Sequence, residues 1–226
     1  MKKLVIAIDG PAASGKSTTA RLTAGRLDYL FIDTGAMYRA ITLRALEENL
    51  DPDNEEQIGT LAEQTQICFE QSKGEFRVKV NGRDVTPSIR SQAVTKAVSR
   101  ISAIKKVRDV MVEQQRRLAK EGGVVIEGRD IGTVVVPDAD LKIFLVAKVD
   151  ERTARRRKEL QDRGIDVPLE LLMKEIEERD RKDSSRTISP LRKADDAIVL
   201  DTSKLTVEEQ VQYVIEQADR LLKTRT

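Results

Sequence analysis

The segment GPAASGKS at positions 10–17 constrains the fold of this chain more than any other feature. It matches the pattern G-x-x-x-x-G-K-[ST] at every required position. An apolar run over 4–8 precedes it, and a helical pattern begins at Lys16. Glycines let backbone N–H groups approach an anion, and the positive end of a following helix points at that anion. The segment therefore predicts a phosphate-binding loop between a buried strand and a helix.

The same pattern assigns chemistry to individual side chains. Lys16 is expected to reach the β- and γ-phosphates of a nucleoside triphosphate, and the Ser17 hydroxyl to ligate Mg²⁺. A loop that merely turns the chain is the alternative, and the eight matched positions speak against it. We expect ATP and Mg²⁺ as the ligands of this segment. The predicted ATP-binding residues are Gly10, Pro11, Ala12, Ala13, Ser14, Gly15, Lys16, Ser17 and Thr18.

Composition excludes several classes of protein. Lys and Arg total 40 and Asp and Glu total 38, whereas a dedicated nucleic-acid binder has a strong basic excess. The chain has no histidine, which excludes Ser-His-Asp triads and histidine zinc sites. Its one cysteine, Cys68, excludes a disulfide within the chain and is expected to pack as a small apolar residue. No nucleic-acid partner is expected.

Hydrophobic patterning indicates a cytoplasmic protein. The first apolar run ends at Asp9, too early for a signal peptide. No stretch approaches the roughly 20 apolar residues that cross a membrane. A single free thiol fits a reducing compartment. We therefore expect an unprocessed chain without a membrane partner.

Strands alternate with helices along the chain, which predicts an α/β fold with a doubly wound parallel sheet. Apolar runs predict the strands 4–8, 29–32, 124–127, 141–147 and 197–200. Helical patterns cover 16–27, 36–48, 55–63, a long region over 91–120, 151–163, 169–184 and 207–223. Between 65 and 85 the pattern changes: two β-rich runs and the turn signal Asn81-Gly82 predict a small antiparallel insertion.

Two further motifs follow predicted strands. DTGAMYR at 33–39 and EGRDIGT at 127–133 would lie at the carboxyl edge of the sheet, where ligands bind. Arg129 offers a planar fork for phosphate oxygens, and Asp130 an acceptor. A helix cap and a surface ion pair are the plainer alternatives. No Asn-Lys-x-Asp motif follows a strand and no apolar strand ends in Asp-Glu, so a kinase is favoured over a GTPase or a motor ATPase.

With these motifs the chain resembles the bacterial-type cytidylate kinases, of the nucleoside monophosphate kinase family. The resemblance runs from the first strand to the last helix and includes the hairpin insertion, PDADLKIFL at 137–145 and EERDRKDSSR at 177–186. It implies one P-loop kinase unit over 1–226 with a helical lid. Its parts would be a core of 1–64, 91–150 and 185–226, a monophosphate-binding insertion over about 65–90 and a lid over about 151–168.

The resemblance also implies an activity and a site. The reaction would transfer a phosphoryl group from ATP to CMP or dCMP, giving ADP and CDP or dCDP, in a monomer. The catalytic residues would be Lys16, Arg129, Arg155 and Arg157, the last two in a run of three lid arginines. The acceptor would be bound by Thr34, Arg39, Ser99, Arg108, Arg129, Asp130, Arg179, Asp183 and Arg186. Without the resemblance, Ser99 and Arg108 would be surface positions and 175–186 an ion-paired helix.

Base chemistry predicts a preference for cytosine. The resemblance implies that Asp130, Arg108 and Ser99 read the base: the carboxylate would accept from the N4 amino group, and the other two would donate to N3 and O2. Uracil mismatches both contacts, and buried mismatches are costly. Two alternatives remain open: another small-molecule P-loop kinase of the shikimate or adenylate type, and a non-catalytic nucleotide-binding or RNA-associated module.

Overall fold

The structure is a computed structural model that describes residues 3–72, 75–162 and 164–224. Its central sheet is parallel throughout, and its strand order β2-β6-β1-β7-β8 places β1 in the middle. The doubly wound sheet predicted from sequence is confirmed. The five strands are β1 (Val5–Asp9), β2 (Leu30–Asp33), β6 (Val124–Gly128), β7 (Leu141–Val146) and β8 (Ile198–Asp201).

Helices cover both faces of this sheet because β1 is apolar on both sides. Ala7 belongs to one core cluster, with α2, α3 and α5, while Ile6 and Ile8 belong to the other, with α1 and α8. The two clusters fix the sheet between two helical layers. The helices are α1 (Lys16–Leu27), α2 (Thr34–Glu47), α3 (Glu55–Glu63), α4 (Gln92–Ile101), α5 (Lys105–Ala119), α6 (Val149–Gln161), α7 (Leu169–Ser185) and α8 (Val207–Thr224).

A second, antiparallel sheet of order β3-β4-β5 forms the predicted insertion. Asn81 and Gly82 have positive φ values of 48° and 85°, as a two-residue hairpin turn requires. Residues 73–74, also within the predicted insertion, lie outside the described residues. The three strands are β3 (Ile67–Ser72), β4 (Glu75–Val80) and β5 (Arg83–Asp84).

The insertion packs on the core through one face. The Phe76 ring lies 4.8 Å from Phe31 of β2 and 5.4 Å from Phe69, centroid to centroid. Val78 shares the core cluster of α2 and α3. Cys68 points to the opposite face and is exposed, so the expectation that it packs as an apolar residue is wrong. Strand alternation explains this, since Ile67 takes the buried position beside it.

The predicted helical region over 91–120 forms as two helices rather than one. α4 ends at Ile101, and α5 begins after Ile104, which has extended backbone and is buried. The break keeps both isoleucines in the core. It also directs Arg108 of α5 back towards the end of α4, where its Nη1 donates to Ser102 O at 3.5 Å.

The segment predicted as a lid, 151–168, comprises most of α6 and the connection to α7. The two helices pack against each other. Residue 163, in that connection, lies outside the described residues. None of the helices in the described ranges has the length and apolar character to cross a membrane.

Candidate active site

The phosphate loop joins β1 to α1, and its backbone conformation favours glycine at two positions. Gly15, with φ of 97°, caps α1 without a side chain. A Cβ at Gly10 would lie 2.5 Å from the carbonyl oxygen of Leu145, so only glycine fits there. Lys16 Nζ donates to Pro11 O at 3.2 Å, folding back over the loop. The loop therefore has the conformation and the cation that the motif predicted.

A buried carboxylate lies beside the loop at the end of β6. Ser17 Oγ donates to Glu127 Oε1 at 2.6 Å, and Glu127 Oε2 lies 3.9 Å from Lys16 Nζ. Burial, with the nearby Asp33 carboxylate, raises the pKa of Glu127 to about 7. Burial, with the positive charge of Arg129, lowers the pKa of Lys16 to about 7. The two groups thus meet as a buried pair whose charges are easily changed by a ligand.

The oxygen atoms around this pair fit a magnesium ion. Ser17, Asp33 and Glu127 line the same pocket and offer a hydroxyl and two carboxylates. Hard oxygen ligands suit Mg²⁺, which is usually held by one or two carboxylates together with substrate phosphates. Among the described residues no group of three or more His, Cys, Asp or Glu side chains could hold a metal ion. The donor set therefore suits an ion that a phosphate ligand helps to bind.

The pocket beside the loop carries more basic than acidic side chains. Burial, with repulsion from Arg129, lowers the pKa of Arg179 to about 10, and burial lowers that of Arg39. An anion would relieve both effects, so the pocket suits an anionic ligand. Its basic lining residues are Lys16, Arg39, Arg90, Arg108, Arg129, Arg156, Arg179 and Arg186, and its acidic ones are Asp33, Glu127, Asp130, Glu159 and Asp183.

Arg129 connects the phosphate loop to helix α7. Its Nη1 donates to Gly10 O at 3.0 Å, and its Nε to Asp183 Oδ2 at 2.8 Å. Arg186 bonds the other oxygen of Asp183. Burial alone would raise the pKa of Asp183, but Arg129 and Arg186 lower it below its ordinary value. Asp183 is therefore an ionised anchor that fixes two guanidinium groups at the wall of the pocket.

A second ion pair closes the far end of the pocket. Arg108 Nη2 donates to Asp130 Oδ2 at 2.5 Å, and both residues are buried. The guanidinium lies over the ring of Tyr38, 5.5 Å from its centroid. Within the described part of the chain, Arg108 Nε is buried without a hydrogen-bond partner. This end of the pocket, with Ser99 beside it, offers donors and an acceptor to a planar polar group.

Thr34 and Arg39 hold the start of α2 in place. Thr34 Oγ1 donates to Glu127 O at 2.7 Å, which joins the start of α2 to β6. Arg39 Nη1 donates to Ile89 O at 3.3 Å and to Thr95 Oγ1 at 3.0 Å. Asp33 caps α2 by accepting from Ala36 N at 2.8 Å. The plainer alternative, a helix cap, is thus present, and both Thr34 and Arg39 nevertheless line the pocket.

The structure brings most of the predicted site together. All nine residues predicted to bind the acceptor line one pocket, together with Ala12, Ala13, Lys16 and Ser17 of the loop. Gly15 and Thr18 line an adjoining groove. These placements leave the individual roles as predictions.

The three adjacent arginines of α6 point in different directions, as successive helical residues do. Arg155 Nη1 donates to Ser14 O at 3.2 Å and to Thr202 Oγ1 at 3.0 Å, beneath the loop. Arg157 lies 3.9 Å from Asp166. Among the described residues it is Arg156 that lines the pocket, with its Nη1 donating to Glu159 at 2.7 Å. Arg156 therefore lines both the pocket and the adjoining groove, Arg155 lines the groove beside Gly15 and Thr18, and Arg157 is not among the described lining residues of either.

Several residues that line the pocket were not among the predicted site residues, and those that carry charge or a polar ring include Asp33, Tyr38, Glu127 and Arg156. Glu127 had a signal, since it is a carboxylate at the carboxyl end of a buried strand beside the loop. Asp33 was considered only as a helix cap. Tyr38 lies within the motif DTGAMYR without a role of its own, and Arg156 belongs to the run of lid arginines, whose members the sequence does not distinguish. All four line the pocket.

Comparison with known proteins gives one consistent result. A protein-family model described as "Cytidylate kinase" matches residues 6–220. Two curated proteins, each called cytidylate kinase, come from Bacillus thuringiensis (strain Al Hakam) and Bacillus cereus (strain AH187). Each is 50% identical over 214 residues, covering 95% of this chain and 95% of its own. A solved structure of an uncharacterized protein from Eubacterium ventriosum ATCC 27560 shares the fold, with a TM-score of 0.54 at 14% identity, over 96% of this chain and 99% of that chain.

Proposed function

We propose that this chain, which belongs to the cytidylate kinase family, transfers the γ-phosphoryl group of ATP to CMP or dCMP. The products are ADP and CDP or dCDP. One observation carries the proposal beyond the family. The predicted acceptor residues, spread over 34–186, line a single pocket that includes the phosphate loop.

The acceptor needs no general base. A phosphate monoester has a second pKa of about 6, so at neutral pH it is mostly a dianion and already a nucleophile. The chain has no histidine to act as such a base. The difficulty is that two anions must meet in line. The positive lining of the pocket lowers that repulsion and orients both groups.

Lys16 and the loop backbone hold the triphosphate, and Arg39, Arg129 and Arg186 hold the acceptor phosphate. Arg129 contributes to both the triphosphate site and the acceptor site, because it already bonds Gly10 O of the loop and Asp183 of α7. Arg179 and Asp183 face the ribose.

Magnesium would be held by Ser17 and Glu127, whose oxygen atoms are 2.6 Å apart, with Asp33 close by. When bound, the ion neutralises phosphate charge and helps to align the triphosphate. Lys16 then faces the phosphates rather than Pro11 O. The hydrogen bond from Ser17 to Glu127 keeps the hydroxyl oriented towards the proposed magnesium site.

Arg156 is the lid arginine that we place at the transferred phosphoryl group. It lines the pocket, and among the described residues its hydrogen bond to Glu159 is the one that would have to break. Arg155 and Arg157, which the resemblance proposed, could act there only after losing their contacts with Ser14, Thr202 and Asp166. The lid over 151–168 closes on the donor, and the insertion over about 65–90 on the acceptor.

Cytosine is read by Asp130, Arg108 and Ser99. Asp130 accepts from N4, and the two donors serve N3 and O2. The Arg108–Asp130 pair arranges both groups before the base arrives. We expect a monomer from the family resemblance, and a reducing, cytoplasmic compartment from the single free thiol.

The test is ADP release with ATP and Mg²⁺ against CMP, dCMP, UMP, AMP, GMP and shikimate, with a blank lacking acceptor. Fast release with CMP and dCMP and weak release with UMP are expected. Lys16→Ala should lose transfer by orders of magnitude while the exposed Lys105→Ala keeps it. Release with another acceptor would overturn the cytosine assignment. ATP binding without acceptor-dependent release would indicate a non-catalytic module.

A further inference from the structure

Ala12 lies within the phosphate loop, and an ion pair from two other helices holds both of its backbone polar groups. Arg152 of α6 donates from Nη1 to Ala12 O at 3.1 Å. Ala12 N donates to Asp180 Oδ1 of α7 at 3.3 Å. Arg152 Nη1 also pairs with Asp180 Oδ2. Three separate segments of the chain are therefore joined at one residue of the loop.

The Arg152 end of the pair is buried, whereas the Asp180 side chain is 21% exposed. Arg152 is 7% exposed, and its Nε donates to Ala147 O at 3.0 Å. Among the described residues that line the pocket, neither Arg152 nor Asp180 occurs. Burying a charged pair gives little net stability compared with apolar packing. Its contacts with the loop therefore suggest a role other than stability.

Both members of the pair lie within about one helical turn of residues that line the pocket. Asp180 follows Arg179 directly and precedes Asp183 by less than one helical turn, and both of those residues line the pocket. Arg152 precedes Arg156 by about one turn of α6, on the same side of the helix. A shift of Ala12 would reach both helices through hydrogen bonds to a single ion pair.

We propose that Arg152 and Asp180 are positioning residues that couple triphosphate binding in the loop to acceptor binding between α6 and α7. The inference rests on the proposed function for the identity of the two ligands. A triphosphate that fixes the loop fixes Ala12, and through the pair it fixes Arg156 and Arg179. Coupling of this kind is reciprocal, so each ligand raises the affinity of the other by the same factor.

Calorimetry on the full chain measures this factor as the affinity for CMP with and without a non-hydrolysable ATP analogue and Mg²⁺. In the unmodified protein we expect the analogue to tighten CMP by roughly 5–150-fold, the usual range for coupled sites. Asp180→Asn keeps the acceptor for Ala12 N but removes the charge that holds Arg152. It should bring the factor close to one and leave the affinity for each ligand alone within about threefold.

Glu178→Gln is the matched control, because it breaks an exposed ion pair with Lys182 on the same helix. It should keep the full factor. Arg152→Lys, which keeps the charge but cannot bond Ala12 O, Ala147 O and Asp180 together, tests the pair if Asp180→Asn folds poorly. Undiminished coupling in these variants, or no coupling in the unmodified protein, would overturn the inference. Either result can occur with normal ADP release from CMP, so the proposed function is tested separately.

Discussion

Two buried ion pairs at opposite ends of the pocket are prepared for their ligands in different ways. Lys16 and Glu127 are 3.9 Å apart and have pKa values moved towards neutrality, so bound phosphate and metal would restore their charges. Arg108 and Asp130 are in direct contact at 2.5 Å. The first pair therefore responds to charge, and the second presents a fixed pattern of donors and an acceptor.

Asp130→Asn tests that fixed pattern. The substitution keeps the size of the side chain but puts an amide that can be a donor where the N4 amino group needs an acceptor. Uracil presents O4 there and tolerates a donor. We expect the ratio of kcat/KM for CMP to that for UMP to fall by roughly tenfold to a hundredfold, the usual value of one base contact.

Steady-state kinetics with both acceptors measure this ratio, and Asp138→Asn, at an exposed position outside the pocket, is the control. Equal losses for CMP and UMP would show that Asp130 does not read the base.

The sequence predicted which residues line the pocket better than it predicted which of several adjacent side chains would point into it. Motifs place Arg129 and Asp130 at a strand end, and the resemblance to a family added Ser99 and Arg108, which no local pattern marks. The family membership and the parallel sheet are confirmed. The run of arginines in α6 could not be resolved, because the rotation of a helix relative to its neighbours depends on packing rather than on local sequence.

At the scale of elements, the turn after β6 depends on a residue of β1. Asp9, the last residue of β1, accepts from Ile131 N and Gly132 N, both at 2.8 Å. These N–H groups belong to the short helical turn Ile131–Val135 that follows Arg129 and Asp130. The carboxylate therefore ties the start of the phosphate loop to the segment proposed to bind the acceptor.

Asp9→Asn should disturb this turn while leaving side-chain volume unchanged. An amide has one acceptor oxygen, so one backbone N–H would face an NH₂ group. We expect a loss of about 1–3 kcal/mol in the free energy of unfolding, as for a buried unsatisfied donor. We also expect the KM for CMP to rise by a larger factor than the KM for ATP.

Chemical denaturation and steady-state kinetics measure the two effects. Asp140→Asn is the control, because Asp140 accepts from Val5 N at 2.7 Å at the other end of β1 and an amide oxygen can replace it. A variant at Asp9 with unchanged stability and unchanged KM values would contradict this role.

Element boundaries were predictable where a strong local signal existed. The α1 and α3 bounds agree with the predicted 16–27 and 55–63. The break within 91–120 was not predictable, since Ser102 and Ile104 are not strong helix breakers. Burial of Ile101 and Ile104 in the core decides it, and such tertiary contacts have no local pattern.

At the scale of the whole molecule, the fold gathers charge that the composition does not reveal. The formal net charge is only +2, yet the carboxyl edge of the sheet holds a cluster of buried cations and carboxylates. Holding these groups without a ligand is unfavourable, because burial opposes their charged forms. The ligand-free protein should therefore be least stable at the pH values at which most of these buried groups are charged.

Glu127→Gln makes this a test of stability against pH. Burial raises the pKa of Glu127 from its ordinary value of 4.5 to about 7, so the folded state holds the proton more tightly. Its stabilising contribution is present below pH 4.5 and is lost as pH rises through 7. The free energy of unfolding of the unmodified protein, minus that of Glu127→Gln, should fall by roughly 1–3 kcal/mol from pH 4.5 to pH 7.5.

Urea denaturation of both proteins without nucleotide, at several pH values over this range, measures the difference. Glu178→Gln, at an exposed position of α7, supplies the control curve. Lys16 acts in the opposite sense, since its lowered pKa makes the protein gain stability above pH 7. Lys16 is present in both proteins, so its contribution cancels in the difference, which should flatten above pH 7 because Glu127 is then ionised. Parallel curves for the two proteins would show that burial does not raise the pKa of Glu127.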